Sequence, residues 1–512
     1  MSEKKQFVLN FISQILFNII NLGVSFFLVP HIVETINATA YGFVSLANDF
    51  VSYAGIVTVA LNALAGRYIT VNLHKKNYEE ANKYFNSVTF ANTIIAGFMT
   101  VLSLIFIIFM DKMLNIPIEI LSDVRLLFIM IFANFIISIV TSNFSVATFT
   151  TNKLYKNSII NIVNQIIRCI LLIVCYTFLS PKVWYIGFIS LLGTGIISVA
   201  NLIYLYKLTP ELKFNLKYFD FQYVKELVKA GIWNTITRLS SIINNGLDLL
   251  ISNIMISSVA MGILSLPRNV HSIILNLFSS LGGVFAPKIT ISYANGKNNE
   301  IKNQIKFSYK FLGIFSNTVL AVFMSFGLAF FKLWVPSQDA NLLYLIAVVS
   351  CSAMIIALPM EPFYNVHTAL NKIKVPALAS SAFSLITIVL EFIGLSLTNN
   401  LTMQLLIISS TSTLIGLFRV LLFLPMYTAH ILEEKVTYFY PLVLKNTLGF
   451  IIALIIGLIL NSLVKINNWL IFVLMCGILM IISFFTTYFI NFNQEEQNKF
   501  TNIIKQKILR RG

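Results

Sequence analysis

NTITRLSSIINNGLDLLIS, residues 234–252, is the stretch on which the reading of this chain turns. Asn234, Arg238, Ser241, Asn245, Asp248 and Ser252 follow one another at alternating steps of four and three. That spacing stacks them on one face of a helix, with Ile and Leu filling the other faces. A polar stripe holding an arginine and an aspartate needs a wet cavity or partner helices, because lipid cannot solvate it. The stripe has a counterpart near the N-terminus: Gln14, Asn18, Asn21 and Ser25 each lie 220 residues before Asn234, Arg238, Ser241 and Asn245.

The chain around these stripes is 57% hydrophobic and 11% charged over 512 residues, with a mean hydropathy of +0.83. A soluble chain could not hide so much apolar surface, so the composition predicts a polytopic all-α membrane protein. Met1–Gln6 is short and polar, and the apolar run after it is long enough to span, so no cleavable signal peptide is expected. Cys169, Cys175, Cys351 and Cys476 fall in apolar segments without metal-ligand spacing and read as packing residues.

Apolar runs of spanning length number about fourteen. They cover 7–32, 43–69, 84–109, 121–147, 157–180, 182–206, 224–255, 260–287, 307–331, 341–366, 375–397, 401–427, 440–464 and 469–491. With a cytosolic N-terminus, the inner segments carry 26 Lys and Arg, whereas the outer ones hold only Lys112, Lys182, Lys332 and Lys465. That imbalance predicts both termini on the cytosolic side. The net charge of +16 then records topology and anionic headgroups as neighbours, and calls for no nucleic acid.

The remaining six basic residues are Arg67, Arg125, Arg168, Arg238, Arg268 and Arg419, all in or at the edge of a span. Arginine keeps its proton when desolvated, and its planar fork matches phosphate oxygens. Arg67, Arg125 and Arg419 lie within a turn or two of an interface, where snorkelling accounts for them. Arg168 is near mid-membrane, and Arg238 and Arg268 are also deep. These three are candidates for an anionic substrate, with structural pairing to Asp49, Asp248, Glu361 or Glu391 as the alternative.

The shift of 220 extends to Ala40–Leu46 against Ala260–Leu266, and Asn152-Lys153-Leu154 echoes Asn371-Lys372-Ile373 at a shift of 219. The expected architecture is therefore two six-helix lobes in parallel repeat, 1–210 and 220–430, followed by two further helices and a basic tail in 431–512. A cavity between the lobes would be lined by Gln14, Asn18, Asn21 and Asn48 on one side. Asn234, Arg238, Asn245, Asp248 and Arg268 would line the other. Such polar residues also serve as interhelical glue, but glue does not ordinarily require this many full charges, so the cavity is the preferred reading. Pro359 and Pro362 bracket Glu361, which marks either a cation-holding break or a simple kink.

Asn10, Gln14, Pro30, Tyr41-Gly42 and Arg67, together with Asn371–Pro376, give the chain a resemblance to a known family. It resembles the polysaccharide-unit flippases of the multidrug/oligosaccharidyl-lipid/polysaccharide (MOP) exporter superfamily. The resemblance implies export of an undecaprenyl-pyrophosphate-linked glycan across a bacterial plasma membrane, with a glycan polymerase or ligase as a further partner. On that reading Arg238, Arg268, Arg168, Arg67, Asn48, Asn234 and Asn245 contact substrate. Asp49, Asp248, Glu361 and Glu391 are then the candidates for ion coupling. No metal or cofactor is expected, and no nucleotide-binding, metalloprotease or nucleophile-elbow motif points to an enzyme. The competing readings are a multidrug or organic-cation antiporter of the same superfamily, and a non-transporting scaffold of a glycan-assembly complex.

Overall fold

The computed structural model describes residues 3–498, and every regular element among them is helical. Among the described residues, thirteen helices are long and apolar enough to cross a membrane, as befits a multi-pass membrane protein. The span expected at 224–255 is not one of the thirteen. It forms as two helices, Phe221–Gly246 and Asp248–Met255, interrupted at Leu247. Lys225, Glu226, Lys229, Arg238 and the asparagines make this segment too polar to pass on composition alone.

The chain divides into two compact units, Met1–Ser265 and Leu266–Gly512. The first holds α1 (Glu3–Ile36), α2 (Ala38–His74), α3 (Tyr78–Met113), α4 (Leu121–Thr141), α5 (Val146–Thr150), α6 (Leu154–Phe178), α7 (Trp184–Leu208), α8 (Phe221–Gly246), α9 (Asp248–Met255) and the start of α10 (Ser258–Gly283). The span read as continuous over 121–147 is broken by a 3-10 turn at Ser142–Ser145. Polar groups at the break meet α3: Asn143 Nδ2 donates to the Phe85 carbonyl and to Thr89 Oγ1, both at 3.1 Å, and Asn92 Nδ2 donates to Ser142 Oγ at 3.0 Å. Irregular backbone at membrane depth is tolerated only when protein groups satisfy it in this way.

The polar connection between α7 and α8 is tied down just as firmly. Asn82 Nδ2 donates to the Glu211 carbonyl and its Oδ1 accepts from Lys213 N, both at 2.8 Å. Asn86 repeats the pattern with the Lys213 carbonyl and Asn215 N, both at 2.9 Å. Ser87 Oγ does so with Asp220 O at 3.1 Å and Asp220 N at 3.0 Å. One face of α3 thus anchors the connection through its side chains. Further along, α8 lies so close to α2 that Gly231 touches the Ala60 carbonyl, which no larger residue would permit.

The second unit continues α10 and adds α11 (Ala286–Ala294), α12 (Asn298–Trp334), α13 (Ala340–Ser352), α14 (Met354–Ala357), α15 (Glu361–Ala369), α16 (Lys374–Ser396), α17 (Leu401–Phe418), α18 (Leu424–Ile431), α19 (Tyr440–Leu463) and α20 (Trp469–Asn491). Its axis is α12, the most buried of the candidate spans. Both C-terminal helices pack along it. Asn317 Nδ2 donates to the Asn446 carbonyl at 2.8 Å, and Asn491 Nδ2 donates to Asn446 Oδ1 at 2.8 Å, all three residues being buried. Gly313 makes room for Asn446. Lys310 Nζ reaches Glu496 Oε2 at 2.6 Å beside the Phe492 ring. An amide triad inside an apolar bundle fixes which helix faces meet, because any other pairing strands a polar group.

The shift of 220 recurs in the helix boundaries: α2 starts at Ala38 and α10 at Ser258, α3 at Tyr78 and α12 at Asn298, α6 at Leu154 and α16 at Lys374. The turns match as well. Lys76 and Gly296 have φ of 59° and 68°, and the closing bonds are Asn77 N to Asn72 O at 2.9 Å and Lys297 N to Ser292 O at 3.0 Å. Asn152 and Asn371 have φ of 55° and 53°, each followed by a lysine N–H bonded five residues back at 2.8 Å. These are left-handed helix stops, which asparagine and glycine enter at least cost. Where α2 runs unbroken, its counterpart stops at Gly283 and restarts as α11 with Pro287 in its first turn.

The expected topology has a direct check. A cysteine at Ile118, which is 88% exposed, or at Ser337 should react with an impermeant reagent from outside intact cells. One at the exposed Asn298 should not, and labelling there would reverse the assignment of sides.

Candidate functional site

The first unit contains a cavity of about 270 Å³ bounded by α2, α4, α6 and α7. Helix α6 supplies its floor through a stripe the sequence spaces at four, three and four: Asn157, Asn161, Asn164 and Arg168. Arg168 and Asn164 line the cavity, facing Asn48 of α2, Asn134 of α4, and Ser190 and Thr194 of α7. Ile131 and Ile186 complete the wall. Asn48 is held by its own helix, donating to the Val44 carbonyl at 2.8 Å, and Ser190 likewise donates to Ile186 O at 2.7 Å. Gly187 lets α7 press against Met130 and the Leu127 carbonyl of α4, which sets the cavity's width.

Two lining atoms are left without partners. Arg168 Nε and Asn134 Oδ1 are both buried and make no hydrogen bond within the protein. A buried polar atom without a partner is costly, so these two atoms, one donor and one acceptor, favour a polar group in the cavity.

Two of the expected substrate contacts, Asn48 and Arg168, therefore line one site. Arg67, Asn234 and Arg238 expose their side chains on α2 and α8, and Arg268 is half-buried on α10 just after Pro267. The Asn245 side chain lies outside the described residues. Asp49 and Asp248 are half-buried, the latter opening α9. In the second unit, Glu361 Oε2 accepts from Ser279 Oγ at 3.3 Å where Gly282 abuts its side chain. Glu391 is 1% exposed and accepts from Ser412 Oγ at 2.8 Å.

Two expectations change. Gln14, read as cavity lining, binds α6 instead: its Oε1 accepts from Ser158 Oγ at 3.1 Å. Asn10 does the same one turn earlier, clasping Asn152 and the Tyr155 N–H. This end of the first stripe is interhelical glue. Arg419, read as reaching an interface, has its Nε buried without a hydrogen-bond partner at the head of a π-helical turn, Arg419–Phe423. Such turns break the helical bonding pattern locally, and they concentrate at functional positions.

Residues 7–292, more than half of the chain, match the family model described as polysaccharide biosynthesis protein. The chain belongs to that family. It is 25% identical over 464 residues to the uncharacterized membrane protein EpsK of Bacillus subtilis (strain 168), with 91% of each chain covered. Its fold is similar to that of the lipid II flippase MurJ in an inward closed conformation, with a TM-score of 0.65 and 16% identity, covering 93% of this chain and 98% of that one. It is also similar to a multidrug resistance MATE family transporter of the MOP superfamily in an inward-facing conformation, with a TM-score of 0.60 and 13% identity over 81% and 94% of the two chains.

Within this polysaccharide biosynthesis protein, the sequence reading missed Asn134, Asn164, Ser190 and Thr194. The signal for Asn164 was available in the stripe ending at Arg168, and Ser190 and Thr194 sit one helical turn apart. Asn134 opens a further polar stripe, with Ser138, Thr141 and Ser145 following at steps of four, three and four.

Proposed function

We propose that this protein moves a lipid-linked oligosaccharide across the bacterial plasma membrane by alternating access, with both termini cytosolic. The observation that carries the reading is a half-buried arginine, its Nε buried and unpartnered, that lines a polar cavity inside an apolar bundle, in a chain of the polysaccharide biosynthesis family. The likeness to a lipid II flippase in fold supports it. We take 1–210 and 220–430 as the working lobes, with the helices of 431–512 appended. The glycan is carried on undecaprenyl pyrophosphate. Arg238 and Arg268 take the pyrophosphate, Asn234, Asn245 and Arg67 are further substrate contacts, and Arg168 and Asn48 serve the glycan side. Membrane lipid holds the polyprenyl tail, and a glycan polymerase or ligase receives the product.

The fold likeness to a multidrug transporter favours a second reading, an organic-cation antiporter. A cation site calls for carboxylates and aromatic rings, whereas this cavity is lined by an arginine, amides, hydroxyls and isoleucines. The anionic substrate is the better match.

Uphill movement draws on an ion gradient through Asp49 or Asp248, with Glu361 and Glu391 as the alternatives. One charge crossing the membrane is worth about 2.3 kcal/mol per 100 mV, enough to bias the cycle roughly fiftyfold. The wild-type gene should restore surface glycan to a deletion strain. Asp49→Asn combined with Asp248→Asn should reduce that export at least tenfold and leave the remainder insensitive to a proton or sodium ionophore. Full, ionophore-sensitive export in the double variant would move coupling to Glu361 or Glu391.

A further inference from the structure

The cavity at Arg168 is specific in a way that the pyrophosphate does not explain. Its lining holds one cation and no carboxylate; the other polar groups are amides and hydroxyls. A pyrophosphate placed there would leave negative charge uncompensated in a low-dielectric bundle, whereas one guanidinium neutralises one carboxylate and can grip both its oxygens. The unpartnered atoms point the same way. Arg168 Nε needs an acceptor and Asn134 Oδ1 needs a donor. A phosphate diester offers acceptors only, while a sugar offers hydroxyl donors beside its acceptors.

Size narrows the choice further. At about 270 Å³ the cavity lies just under the roughly 300–1,000 Å³ usual for drug-sized ligands. It accommodates one sugar ring. Ile131 and Ile186 give the C–H faces of such a ring an apolar wall, and Ser190, Thr194 and Asn164 stand where its hydroxyls would bond.

We propose that this cavity is a subsite for a single sugar unit bearing one carboxylate, a uronate-type residue of the transported glycan. This rests on the reading above that the substrate is a glycan, and it assigns to Arg168 a role distinct from that of Arg238 and Arg268. The subsite would let the transporter distinguish an acidic repeat unit from a neutral one that carries the same lipid pyrophosphate.

The test is binding to the purified full-length protein, by calorimetry and thermal shift, with D-glucuronate, D-glucose and inorganic pyrophosphate as probes. Glucuronate should bind saturably and at least tenfold tighter than glucose. Arg168→Lys and Asn134→Leu should each weaken it tenfold or more, and pyrophosphate should not compete. Thr194→Val, a near-isosteric change in the α7 wall, should weaken glucuronate at least threefold and serves if the other two variants fail to fold. Competition by pyrophosphate would make the cavity a phosphate site and overturn the proposal. So would the absence of glucuronate binding to the wild type, which would leave the cavity merely hydrated. The outcomes separate the two readings. Export that depends on the protein without glucuronate binding overturns the subsite alone. Glucuronate binding in a protein whose deletion leaves surface glycan unchanged overturns the transport reading alone.

Discussion

Gly262→Ala and Gly42→Ala should each cut glycan export at least tenfold, although each adds a single methyl group. These two glycines are partners at the shift of 220, and they meet where α2 and α10 cross near the ends assigned to the outer side. A Cβ on Gly42 would stand 2.9 Å from Gly262 Cα, and one on Gly262 would stand 2.7 Å from both the Ala38 carbonyl oxygen and Thr39 Cα. Those neighbours are backbone, so the helices themselves must part. Overpacking of this kind costs about 1–3 kcal/mol. Spent on one conformation of a two-state cycle, that shifts its population by roughly fivefold to over a hundredfold. Gly97→Ala is the control, since nothing lies within 4 Å of a Cβ there, and it should leave export unchanged. A cysteine at Ser45, one turn inside the crossing, should be protected from an impermeant reagent in the parent and become reactive with Gly262→Ala. Unchanged export in both glycine variants would remove the crossing from the transport cycle.

The second large effect belongs to Arg238 and Arg268. Lysine separates recognition of pyrophosphate from mere charge balance, because it keeps the positive charge and loses the planar fork. If the two arginines grip phosphate oxygens in pairs, Arg238→Lys and Arg268→Lys should each lower export at least tenfold at normal membrane levels of protein. Arg238 is exposed on α8, so its loss has little folding cost to hide behind. Arg268 is half-buried, and a fall in its protein level would indicate structural pairing instead. Normal export in both lysine variants would remove the pyrophosphate contact from the account.

What the sequence made legible was whatever is periodic. Most of the spans and the shift of 220 follow from side chains recurring at helical spacing, whereas the stripe of 234–252 is split at Leu247 between α8 and α9. The recurring left-handed stops at Asn152 and Asn371 are the clearest return on that reading. What it could not show were contacts between single polar residues far apart in the chain. Asn317 and Asn446 are each a lone amide within a span and Asn491 closes α20, and only packing reveals that they form one buried triad. The same holds for the pairing of Asn115 with Asn253, in which Asn115 N donates to Asn253 Oδ1 at 2.9 Å. The break at Ser142–Ser145 was missed because its polar groups are satisfied by α3, which local propensity does not see. In the site, a stripe could be read as cavity or as glue, and both occur: Arg168 and Asn48 line a cavity, while Asn10 and Gln14 bond to α6 and the turn before it.

The central claim is that the protein carries a lipid-linked oligosaccharide across a bilayer. It is tested most directly by reconstituting the purified chain in liposomes that hold a fluorescent polyprenyl-pyrophosphate-linked oligosaccharide and following its exposure to an external quencher. The account predicts that label confined to the inner leaflet becomes quenchable much faster than in protein-free liposomes, and that Arg268→Lys slows this at least tenfold. A quenching rate equal to that of protein-free liposomes, alongside gradient-driven uptake of an organic cation by the same preparation, would contradict it.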